Sequence, residues 1–152
     1  MSNVTVNIKL GKLENARLDL TKEMMHAADL IAQEMRGNVK AGLDVYGNTL
    51  KPNKPGYAKR KLKELGHARP LIAQHRTLVS PSSYKIRSKA MNHVAITLPD
   101  THPRSELSVG EIGYIHQFGL GSNPVRAFAG VTDIAKKRVV AYLRDTIARL
   151  FK

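Results

Sequence analysis

The residues that acid/base or metal chemistry would draw on are 6 histidines and 12 carboxylates. His26, His67, His75, His93, His102 and His116 are scattered, and none stands at a metal-ligand spacing from another histidine or a carboxylate on a predicted helix face. Glu106 and Glu111 flank a predicted loop, where carboxylates are ordinarily solvated. No serine occupies a Gly-x-Ser-x-Gly elbow. The chain has no cysteine, which removes thiolate zinc sites, thiol nucleophiles and disulfides together. Gly119-Leu120-Gly121 lacks the third glycine and the strand-to-helix context of a phosphate loop and is better read as a turn. The expectation is a protein without catalytic residues, metal or cofactor.

Charge is the stronger signal. Of a net +13, the segment 51–90 carries 11 basic residues against the single acidic Glu64. The last helix region, 133–152, adds 6 basic against 2 acidic, and the remainder is almost neutral. Lys51, Lys54, Lys59, Arg60, Lys61, Lys63, Arg69 and Arg76 are therefore expected on a basic surface facing water, an acidic partner or phosphates, since like charges packed together repel and are not buried unpaired. Only Tyr57 and Tyr84 interleave with these cations, thin for a single-strand stacking platform. No helix-turn-helix, zinc-finger or RRM signature is present. A basic nucleic-acid-binding protein remains the alternative function.

These groups must be positioned by a single domain of 152 residues, long enough to bury about two thirds of its unfolded surface without disulfides or metal. No apolar run approaches the ~18 residues of a membrane span. The charged first 20 residues do not form a signal-peptide core. The expectation is a soluble cytoplasmic product with no membrane association. Val4, Val6, Ile8 and Leu10 alternate with polar residues and predict an opening strand. Leu20, Met24, Ala28, Ile31, Met35 and Val39 recur at helical steps and predict a long helix with one apolar face. Residues 42–56, broken by Gly47, Pro52, Pro55 and Gly56, predict a long irregular connection. Tyr57–Leu65 predicts a short basic helix anchored by Leu62 and Leu65 and stopped at Gly66. Tyr84–Arg87 and Val94–Leu98 predict two antiparallel strands. Residues 100–110 suit a flexible excursion, and 112–118 fit a strand or a short helix equally. Thr132 is a predicted cap for a C-terminal helix whose face carries Ala135, Val139, Leu143, Ile147 and Leu150. The fold class is α+β, with a long N-terminal helix and a C-terminal helix packed on a mostly antiparallel β-sheet.

Ile112-Gly113-Tyr114-Ile115-His116-Gln117-Phe118-Gly119, followed by Asn123-Pro124-Val125-Arg126-Ala127-Phe128-Ala129-Gly130 and a terminal helix, resembles the tail-completion (virion morphogenesis) proteins of tailed bacteriophages. Upstream, a long helix, Tyr46-Gly47, Lys51-Pro52, a basic helix and Pro70-Leu71-Ile72 are similar too. The resemblance covers roughly residues 20–150. It implies a structural virion protein at the tail end or head-tail joint, a tail terminator or neck component made in the host cytoplasm and incorporated into the virion. It also implies a homo-oligomeric ring, most often six-fold in such positions, docking the tail tube and the head connector and with its basic segment available to DNA in the lumen. Tyr114, His116, Gln117, Phe118, Gly119, Pro124, Arg126, Phe128 and Gly130 become the assembly residues. Gly119 and Gly130 would supply backbone conformations closed to other residues, and Pro124 would fix the approach. The guanidinium fork of Arg126 would tie neighbouring segments or subunits, so that Arg126→Ala is expected to leave the monomer folded yet impair assembly. Phe118 and Phe128 are expected to close the core over the last helix, or else to meet a neighbouring subunit. The segments 42–56 and 100–110 are expected to be mobile until docking orders them.

Overall fold

The computed structural model describes residues 19–72, 78–99, 102 and 105–150. The opening strand expected over residues 4–10 lies outside these, as does Arg76. Helix α1 spans Thr21–Ala41, α2 Pro55–Leu65, α3 Val109–Phe118 and α4 Asp133–Leu150, with strands β1 at Lys85–Ala90 and β2 at His93–Thr97 between α2 and α3. The α+β class is as expected, with helices at both ends of an antiparallel hairpin.

Every apolar residue of the predicted α1 face, from Leu20 to Val39, is buried. Ala27 and Ala32 widen the stripe beside them. Because alanine keeps that side of α1 shallow, α4 lies close against it, burying Ala135, Val139 and Leu143 in the same cluster. His26 and Tyr142 meet across this contact with ring centroids 4.6 Å apart. Leu150, expected on the buried face, is 55% exposed, because α4 outruns the surface it packs on.

The hairpin covers another part of α1, with Tyr84, Val94, Ile86 and Ile96 facing the cluster. Its register pairs Lys85 with Thr97 and Ala90 with His93. Asn92 turns the hairpin in the left-handed region (φ 58°), which asparagine tolerates. That residue also fastens the turn to the start of α1: its side-chain carbonyl accepts from Leu20 N–H (2.6 Å), and its own N–H donates to Thr21 Oγ1 (3.1 Å).

Residues 112–118, undecided between strand and helix, belong to α3. Ser108 Oγ accepts from Glu111 N–H (3.1 Å) while Glu111 Oε2 accepts from Ser108 N–H (2.7 Å), a reciprocal capping box. These hydrogen bonds hold the Glu111 carboxyl below its ordinary range. The excursion expected over 100–110 therefore ends two residues early, with Val109 and Gly110 already helical. Thr132 caps α4 as expected, its hydroxyl accepting from Ala135 N–H (3.0 Å) and donating to Glu34 Oε1.

Candidate functional site

Below α1 a second cluster gathers Val39, Ile72, Leu78, Val109 and Phe128. The signature residues are mounted around it. Gly119 ends α3 in the left-handed conformation (φ 67°), where a Cβ would stand 2.9 Å from Val125 N and 2.7 Å from its Cγ2. The chain can thus reverse tightly, and the segment after Pro124 runs back beside the helix. Arg126 N–H donates to His116 O (2.8 Å). Gln117 makes a two-way pair with Ala129, its amide donating to Ala129 O and its carbonyl accepting from Ala129 N–H, both at 3.0 Å. Phe128, held between these bonds, is 1% exposed and fills the core. Its ring edge lies so near Gly113 that a Cβ there would meet Phe128 Cζ at 3.1 Å.

Arg126 is 3% exposed. Its Nε donates to Lys51 O (2.8 Å), its Nη2 to Pro52 O (2.8 Å) and Asn53 Oδ1 (3.2 Å), and its Nη1 lies 3.2 Å from His116 Nδ1. Of the two roles open to this fork, the structure gives the internal one: it clasps segment 51–53 to the end of α3. Arg126→Ala is therefore expected to weaken the fold as well as any assembly. The rest of that connection is fastened as well. Asp44 Oδ1 accepts from the N–H groups of Tyr46 and Asn48 (both 2.8 Å), Val45 N–H donates to Ala127 O (2.8 Å), and Leu50 is buried.

Lys61 departs furthest from expectation. Counted on the basic surface, it is 4% exposed. Pro55 opens α2 at its first position, where a missing N–H costs nothing. The helix then turns Ala58, Lys61 and Leu65, at helical spacing, toward the body and leaves Leu62, a predicted anchor, 55% exposed. The Lys61 ammonium donates to Arg69 O and lies 5.8 Å from the Tyr57 ring centroid. A carbonyl dipole and an aromatic face replace the carboxylate that would ordinarily accompany a buried lysine. Burial, and then the Arg126 charge, push the Lys61 ammonium below its ordinary pKa. Burial chiefly, with Arg126 and Lys61 behind it, also pushes the His116 imidazole down.

Lys51, Lys54, Lys59, Arg60, Lys63 and Arg69 are exposed as expected. Lys59 and Lys63, four residues apart, share one face of α2. Lys54 reaches across to Ser122 Oγ (3.0 Å). Phe118 does not close the core: it is 49% exposed and leans on Tyr114, itself 52% exposed, with ring centroids 4.7 Å apart. Leu120 and Val125 are exposed on the same reversal. Gly130 has no left-handed φ, and the atoms nearest to where a Cβ would stand belong to Val45, its Cγ1 at 3.3 Å. Asn53 was not singled out from sequence, since it meets Arg126 only through the tertiary fold; Tyr57, noted there only as an aromatic among the cations, stands one helical turn before Lys61 on α2.

Among the described residues no group of histidines and carboxylates could hold a metal, and no helix is long and apolar enough to cross a membrane. Comparison with known proteins gives no match: no protein-family model, curated protein or solved structure is detectably similar to this chain.

Proposed function

We propose that the chain is a structural component of a tailed-phage virion, a tail-completion or head-tail joining protein that works as a closed ring. The observation that carries the reading is the exposed ledge of Tyr114, Phe118, Leu120 and Val125 on a rigidly fixed reversal. Large apolar groups grouped at the surface favour association. Mounting them beside Gly119 and the Gln117–Ala129 pair gives them a fixed geometry, as a repeated head-to-tail contact requires if it is to close. The same sequence stretch carries the resemblance to tail-completion proteins, and its inner half (Gln117, Gly119, Arg126, Phe128) supplies the mounting while its outer half supplies the ledge.

The exposed cations of α2 give the ring a basic flank suited to DNA or an acidic neighbour. Light scattering of the purified chain, alone and mixed with tail tubes, tests the reading. Closed oligomers are expected, and particles made without the protein should show unjoined heads and tails in negative stain. A strict monomer with tight, sequence-dependent DNA affinity falling steeply with salt would support the nucleic-acid alternative instead.

A further inference from the structure

A cavity of about 420 Å³ opens between α2, α3 and the segment that carries Arg126. Its lining joins two buried cations, Lys61 and Arg126, and the half-buried His116 to the apolar side chains of Leu71, Leu78 and Ile112. Among the described residues no carboxylate lines it. We propose that this cavity is a binding site for a carboxylate borne on an apolar chain, presented by a polypeptide partner as an acidic side chain or a C-terminus.

The two cations play different parts. Arg126 has its Nε and both Nη2 donors committed to Lys51 O, Pro52 O and Asn53 Oδ1, so it is a fixed source of positive potential. An ammonium has three donors, and the bond from Lys61 to Arg69 O uses one of them. A carboxylate entering the cavity would take the remaining donors and relieve the repulsion between Lys61 and Arg126, an effect strengthened by the low dielectric of a buried site. Room for the rest of the ligand follows from volume. Liquid water takes about 30 Å³ per molecule, so the space far exceeds what a bare anion needs. The leucines and Ile112 favour apolar atoms next to the charge. A duplex phosphate, held on a hydrated and rigid backbone, offers none.

This proposal stands apart from the assembly reading and fails separately from it. The test is NMR titration of the full chain with hexanoate as the probe, against 1-hexanol and inorganic phosphate. Saturable shifts at the Lys61 side chain and the His116 ring are expected with hexanoate, about ten-fold or more tighter than with hexanol. Lys61→Met, which keeps the stem and removes the charge, should weaken hexanoate by a similar factor and leave hexanol unchanged. Equal binding of hexanoate and hexanol, no saturable shift at the two residues, or tighter binding of phosphate than of hexanoate would each overturn the proposal. The hexanoate-to-hexanol ratio on the parent chain decides even if Lys61→Met does not fold.

Discussion

Arg126 concentrates more of the structure in one side chain than any other signature residue. Removing it would strip acceptors on segment 51–53 and the Nδ1 of His116 of their donor. Arg126→Ala is therefore expected to lower unfolding free energy by about 2 to 4 kcal/mol, read from urea midpoints, since buried acceptors lose charge-assisted bonds. Arg126→Lys should recover only part of this, because an ammonium cannot span the same acceptors. His116 adds a pH dependence. Its folded pKa lies below the ordinary 6.5, so the unfolded chain takes up a proton there that the folded chain resists. Stability from this residue is complete above about pH 6.5 and is lost as pH falls through the folded value. Urea midpoints measured from about pH 7 down to about pH 5 should drop more for the parent chain than for His116→Asn, which keeps a polar group near Nδ1 but does not titrate. Both arguments rest on contacts between residues far apart in sequence. Arg126 was legible as a tie, but its partners were not, and nothing in the local pattern of α2 marks Lys61 as the lysine that turns inward.

Among the elements, α1 was readable because its apolar positions repeat over five turns and α4 because Thr132 precedes a similar stripe. Both signals are local and strong enough to survive any tertiary arrangement. Helix α2 is too short and too charged for its periodicity to fix a face, and the face that turns inward is the one whose Lys61 bonds to Arg69 O beyond the helix, with Leu62 left exposed. Helix α3 was ambiguous by period, yet Ser108-x-x-Glu111 ahead of its apolar run is a start signal that settles it. The reversal after α3 is the element most sensitive to a single methyl. Gly119→Ala would put a Cβ into Val125 while forcing a left-handed φ, and is expected to cost about 2 to 4 kcal/mol. Thermal unfolding should show it, and the variant's intrinsic helix preference cannot rescue it, because the residue lies past the helix end.

For the whole molecule, the proposed assembly role of the ledge would be separable from the folding role of the clasp. The double substitution Tyr114→Ser with Phe118→Ser touches side chains that are about half exposed. It is expected to leave the unfolding midpoint within about 1 kcal/mol of the parent while abolishing self-association in light scattering. Arg126→Ala should do the reverse, lowering the midpoint whether or not the chain is assembled. The basic surface was legible in outline as a block of sequence, since most of those cations are exposed, but a count of charges does not reveal a cavity. The clasp has one more consequence, in the order of events during synthesis. Arg126 closes on residues that precede it by 73 to 75 positions. At about 5 to 20 residues per second of translation, segment 51–53 waits roughly 4 to 15 seconds for its partner to be made. Through that interval α1 and the hairpin can already pack, while the cavity side of the molecule stays unformed until the last third of the chain arrives.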